Sequence, residues 1–112
     1  MGRMNLEVRA SDEYLLDYRR LVRKHRDTAR EIRRIVEEEL SETGHVGDDL
    51  HPHVLGNSGG VYNGCMEFHA PGNDDVLVLY SPARPHRMVR LRRICTHAEL
   101  SSGVFEREWP DD

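Results

Sequence analysis

The sequence predicts an α+β fold: an N-terminal strand and a helical hairpin packed on one face of a small antiparallel β-sheet. Three observations carry this. Apolar residues recur at helical spacing in two stretches before Gly44, the period then shortens to that of strands, and residues 76–80 form an unbroken apolar run.

In order along the chain, residues 5–9 alternate apolar and polar through Leu6 and Val8, as a short first strand does. Ser11 followed by Asp12 and Glu13 reads as an N-cap with acids in the first turn. The helix it opens is expected to reach about Arg26, with Tyr14, Tyr18, Leu21, Val22 and His25 on one stripe, which gives His25 a structural role. Thr28 with Glu31 three residues on reads as a capping box for a second helix. That helix carries Ala29, Ile32, Ile35, Val36 and Leu40 and stops near Gly44. Residues 44–60, rich in Gly, Asn, Ser, Pro and His, read as loop. Residues 61–69 then alternate, Tyr62, Met66 and Phe68 pointing one way and Cys65, Glu67 and His69 the other. Residues 76–80 suit a strand buried on both faces, and 88–95 a third, arginine-laden strand. The hairpin would cover one face of this sheet, leaving the face of Glu67 and His69 open.

The 112 residues suit one domain, with 98–112 as a C-terminal extension that has freedom to flex. No apolar run approaches the ~18 residues of a membrane span, and no signal-peptide pattern opens the chain, so a cytoplasmic protein is expected. Two cysteines, Cys65 and Cys95, are too few for a disulfide framework and read as buried free thiols. The net charge of −4 hides a pattern. Residues 76–97 hold five arginines (Arg84, Arg87, Arg90, Arg92, Arg93) and no acid, between acidic stretches on either side. Such a stripe can hold a phosphate backbone or guard a sheet edge.

Five of the seven histidines lie at or after residue 51. Histidine suits proton transfer near neutral pH, so their chemistry is the question. A metal site would draw on His51, His53, His69 or Cys65, but His51-Pro52-His53 is not a spacing that specifies zinc and no ligand signature supports it. Neither cysteine sits in a nucleophile signature. The histidines could be ordinary loop and core residues, with His45 and His86 on surface loops. Alternatively, histidines, a carboxylate and arginines are the set that metal-free RNA cleavage needs. One group takes the ribose 2′ proton, another protonates the departing 5′ oxygen, and a cation holds the phosphorane charge.

Four pieces of sequence bear on that choice: His53-Val-Leu-Gly-Asn57, Gly64-Cys-Met-Glu-Phe-His69, Asp74-Asp-Val-Leu-Val-Leu-Tyr80 and Arg93-Ile-Cys-Thr-His-Ala-Glu-Leu100. Together they resemble the C-terminal half of the YafQ branch of the RelE/ParE toxin superfamily, and the last is the most specific. The resemblance implies a RelE-like microbial ribonuclease fold and a toxin of a type II toxin–antitoxin system. It further implies a ribosome-dependent endoribonuclease (mRNA interferase) needing no cofactor, silenced by a cognate antitoxin in a hetero-oligomeric complex. His53, His69, Asp75 and His97 then match the catalytic positions, with His51 a rival to His53. His97 is expected as acid or phosphate stabiliser, and His69 with Asp75 as the base pair. Glu67, Arg87, Arg90, Arg92 and Arg93 would contact RNA. Val76 stands in place of a usual aromatic and Ser101 in place of a usual phenylalanine, with Phe105 nearby. A non-catalytic, ParE-like or degenerate toxin that only binds protein is the alternative.

Overall fold

The structure, a computed structural model, describes residues 6–56, 61–81 and 88–110. Strand β1 (Glu7–Ala10) leads into helix α1 (Asp12–Lys24) and helix α2 (Arg26–Ile35). Helix α2 continues through a π-helical turn (Val36–Leu40) and a single turn α3 (Ser41–Thr43). A 3₁₀ turn (Asp48–Leu50) precedes strands β2 (His53–Val54), β3 (Met66–Ala70), β4 (Asn73–Ser81) and β5 (Met88–Cys95), and helix α4 (His97–Ser102) follows. No helix among the described residues is long and apolar enough to cross a membrane.

The start of α1 is the one expected: the Ser11 hydroxyl accepts from the Tyr14 N–H at 3.0 Å, with Asp12 and Glu13 in the first turn. Gly44, at φ 78°, closes the helical stretch in the left-handed conformation that glycine adopts without a Cβ penalty. The Thr28 capping box does not form. Helix α2 begins at Arg26 directly after α1, with His25 at the junction and no side-chain cap, and Glu31 pairs with Arg34 instead. A two-helix junction this short makes His25 the N-cap and Thr28 the third residue of α2, past the position from which a hydroxyl caps the first turn.

The sheet runs β1-β5-β4-β3-β2 and is mixed, which corrects the antiparallel expectation. β2–β3, β3–β4 and β4–β5 are antiparallel, but β1 lies parallel to β5, Val8 opposite Val89. Direction alternates from β2 through β5, so β2, the strand that follows the hairpin, runs opposite to β1, and β1 takes the far edge, where it lies parallel to β5. Tyr62, expected on a strand, lies in the 61–64 turn before β3.

β1 is shorter than β5, and side chains complete the exposed edge. The Ser11 hydroxyl donates to the Arg92 carbonyl at 2.9 Å, Asp17 Oδ2 accepts from the Ile94 N–H at 2.9 Å, and Arg20 Nη2 donates to the Ile94 carbonyl at 3.1 Å. These satisfy ladder groups that would otherwise stay unpaired under α1.

The hairpin covers one face. Leu21, Ala29, Ile32, Ile35 and Leu40 pack on Phe68, Val76, Val78, Tyr80, Val89, Leu91 and Ile94. The opposite face is not bare: Leu55, Leu77, Leu79 and Cys95 form a second, smaller cluster with Tyr62, Leu100 and Phe105 against it. β4 contributes to both clusters, which is why residues 76–80 are all apolar. The C-terminal extension is docked: Trp109 is buried in the main core, edge-on to His25 with ring centroids 6.4 Å apart.

Candidate active site

Strand pairing gathers the candidate residues on the face opposite the hairpin. His53 lies directly across from Glu67, Glu67 from Leu79, and His69 from Leu77. Because side chains alternate, Asp75 shares the face of Leu77 two residues on. β5 then ends and Thr96 turns the chain so that His97 opens α4 beside Asp75. Thr96 does this as the N-cap of a capping box: its hydroxyl accepts from the Glu99 N–H, and the Glu99 carboxylate accepts from the Thr96 N–H.

All four expected catalytic residues converge. His97 Nδ1 lies 2.9 Å from Asp75 Oδ1, and the His97 backbone N–H donates to the same oxygen at 3.2 Å. A carboxylate on Nδ1 fixes the ring and leaves Nε2 free for proton transfer. His69 stacks on His97, centroids 5.5 Å apart and planes 27° apart. On its other side are His53 at 6.1 Å and His51 at 6.0 Å. His51 contributes twice, since its carbonyl oxygen is 2.9 Å from His53 Nδ1. A carbonyl can only accept, so Nδ1 carries a proton. His53 Nε2 is 2.8 Å from Glu67 Oε1, so this second contact must also contain a proton, held either by the ring or by the carboxyl group.

One expected pairing is corrected: Asp75 is hydrogen-bonded to His97 and not to His69. The carboxylate beside the other histidines is Glu67, which is buried and so is no surface contact for RNA. Glu67 Oε2 and His69 Nδ1 are buried atoms with no hydrogen-bond partner among the described residues, so the centre of the cluster keeps unused hydrogen-bonding capacity. Among the described residues no group of three or more His, Cys, Asp or Glu side chains is arranged to hold a metal ion. Cys95 is fully buried, and burial pushes its thiol up to about 12, far from a nucleophilic thiolate. His45 is exposed, as expected, while Arg84, His86 and Arg87 lie outside the described residues.

The arginines divide. Between β4 and β5 the register slips, Leu79 facing Arg93 and Tyr80 facing Leu91, so Arg92 is an extra residue. Arg92 donates to the Ser81 hydroxyl at 3.3 Å and lies over the Tyr62 ring, 5.8 Å from its centroid; Arg90 is exposed. Arg93 was expected to meet phosphate, but its guanidinium is already engaged. It donates to Asp17 at 2.9 and 3.3 Å and to the Tyr62 hydroxyl at 3.4 Å, and it lies 3.7 Å over the Phe105 ring.

Asp17, Arg20 and Glu99 are the residues that reading the sequence missed. Arg20 bonds both Glu99 oxygens, at 2.7 and 2.9 Å, and Asp17 at 3.1 Å. Glu99 also accepts from the Glu106 N–H, and Arg20 lies 4.6 Å over the Trp109 ring. Burial pushes the Asp17 carboxyl up, against hydrogen bonds from Ile94 and Arg93. Glu99 is held below the usual range, because bonds from Arg20 and two backbone N–H groups outweigh its burial. Two signals were in the sequence: Thr96-x-x-Glu99 is a capping-box spacing, and Asp17 shares the helical stripe of Tyr14 and Leu21.

Several solved structures share this fold. A YafQ mutant from E. coli matches with a TM-score of 0.67 at 19% identity, covering 85% of this chain and 97% of its own. A metal-bound toxin from Helicobacter pylori matches with 0.67 at 22%, covering 85% and 98%. The E. coli DinJ–YafQ complex gives 0.65 at 18%, covering 85% and 97%. The fold is therefore that of the YafQ-type, RelE-like toxins. No curated protein sequence matches the chain. The family described as "Bacterial toxin of type II toxin-antitoxin system, YafQ" matches residues 6–102. The chain belongs to this YafQ toxin family.

Proposed function

We propose that this toxin is a ribosome-dependent endoribonuclease of the cytoplasm that cuts mRNA through its own side chains. The observation that carries the reading is the pair of histidine–carboxylate contacts, His97–Asp75 and His53–Glu67, on either side of His69. Cleavage of an RNA strand needs a base for the ribose 2′-OH and an acid for the 5′ oxygen. His69, stacked beside His97, takes the 2′ proton on Nε2. The 2′ oxygen then bonds to phosphorus, the bond to the 5′ oxygen breaks, and His97 gives that oxygen a proton from Nε2. The products are a 2′,3′-cyclic phosphate and a 5′-hydroxyl. Asp75 orients His97, and the His53–Glu67 pair flanks His69 and adds positive charge near the phosphorane when its shared proton sits on the ring. Arg90 and Arg92 supply positive charge along the same face, with Arg87 assigned the same part from its place in the sequence. A cognate antitoxin, as DinJ is bound to YafQ in E. coli, would silence the protein by covering this face.

The test adds purified protein to a translating ribosome extract and maps message ends. New 5′-hydroxyl ends that persist in chelator, and vanish for His97→Ala or for a message with a 2′-deoxy nucleotide at the cut site, are expected. An intact message with wild-type protein would instead leave a toxin that acts only by binding.

A further inference from the structure

A second concavity lies on the catalytic face, at the opposite end of β5 from His97. It has a volume of about 490 Å³ and is lined by Arg9, Arg90, Arg92, Ser11, Glu13 and Tyr62 among others. That volume is within the ~300–1,000 Å³ range usual for small-ligand sites. Its place follows from register. Val8 and Val89 face the hairpin core, so their neighbours Arg9 and Arg90 project to the other side, where the catalytic cluster is. The extra residue at Arg92 adds a third guanidinium beside the Tyr62 ring.

The charge arrangement is unusual for a sheet that needs only to fold. Arg9 and Arg90 are direct partners on parallel strands, about 4.8 Å apart, and like charges directly opposite one another are unfavourable. Arg9 has an exposed pair with Glu7, but Arg90 has no ion pair among the described residues. Polyanions relieve such repulsion. An aromatic ring among arginines is also the combination that holds single-stranded nucleic acid, phosphates on the cations and a base on the ring.

We infer that this cleft is a second RNA subsite, binding backbone phosphates several nucleotides from the scissile bond, with Arg9, Arg90 and Arg92 as the phosphate contacts and Tyr62 beneath a base. The inference rests on the ribonuclease reading for its choice of ligand. Arg90 and His97 are seven positions apart, roughly 20 Å at strand spacing, and the strand would cross the face between them. Arg9, on a different strand, is a contact that the sequence pattern did not suggest.

Binding can be measured without cleavage. In the His97→Ala protein, single-stranded RNAs of three and of twelve nucleotides are titrated over a range of salt, with and without Arg9→Ala/Arg90→Ala. For the longer RNA the double substitution is expected to lower affinity about 10-fold or more and to reduce the log–log salt slope by about 1.4, at ~0.7 per phosphate contact. The trinucleotide should lose much less. Arg90→Glu, which can pair with Arg9 and so keeps the sheet intact, should weaken the longer RNA further. An unchanged slope overturns the proposal, as does an equal loss at both lengths. So does a loss seen only for an acidic peptide titrated alongside the RNAs, which would make the cleft a protein-docking site. Since no cut is scored, a protein that binds this way but never cleaves would refute the ribonuclease reading and leave the cleft standing.

Discussion

Two clusters of ionic side chains meet on either side of α4, and they are built on opposite terms. Asp17, Arg20 and Glu99 are at most 4% exposed, and every carboxylate oxygen among them receives at least one hydrogen bond. In the other cluster, His97 and Asp75 are more than half exposed as side chains, and two buried atoms at its centre have no partner among the described residues. A buried charge survives only when paired and bonded, so the first cluster is committed to holding α1, β5, α4 and the tail together. The second keeps capacity unspent. The same residue types thus do structural work where they are saturated and stay available for chemistry where they are not. Helix α4 joins them, with His97 at its first position and Glu99 two residues later.

The comparison can be broken by substitution. Arg20→Ala strands two buried carboxylates and should cost about 3–5 kcal/mol in denaturant unfolding; a loss under ~1 kcal/mol would show that water reaches them. His97→Ala should do the reverse, lowering RNA cleavage by roughly 10²–10⁴-fold while unfolding changes by less than ~0.5 kcal/mol. Asp75→Asn leaves the histidine but weakens its orientation. A smaller loss of about 10–100-fold, with an altered pH profile for cleavage, is expected.

Acid sharpens the contrast. Glu99 has a lowered pKa, so its stabilisation is present above the ordinary glutamate range and is lost as pH falls through that range towards the lowered value. Asp17, raised by burial, acts in the opposite sense and takes up its proton first. Stability measured by unfolding across this window should therefore fall on acidification in the wild type and less so in Glu99→Gln. The smallest effect concerns Cys95: with its thiol pushed up to about 12 inside the sheet, it should resist alkylation in the native protein at mild pH and react on denaturation.

Much of this was legible in the sequence where the signal is local. Strand alternation put Glu67 and His69 on the face away from the hairpin, and the Ser11 cap and Gly44 stop fixed the helical region. The parallel pairing of β1 with β5 was not legible, because no short-range pattern specifies which edge a first strand will choose. Asp17 and Arg20 went unremarked, since nothing near them in sequence announces a distant Ile94 or Glu99. The partner of Asp75 was misjudged for a related reason. The capping box at Thr96 delivers His97 to it, whereas His69 lies one strand over. Phe105 reaches the face opposite the hairpin, packed on its apolar cluster and lying against the Arg93 guanidinium.

The way β1 is held has a consequence for how the protein comes into being. Ser11 and Arg92, which bond at the end of that strand, are 81 residues apart in the chain. Such remote pairings close late and slow. On a ribosome, the first strand must wait until β5 has emerged, and Arg20, the partner of Glu99 on α4, must wait for Glu106 and Trp109. The Arg9 edge of the sheet is therefore the last part of it to close, and it closes onto a strand made 81 residues later.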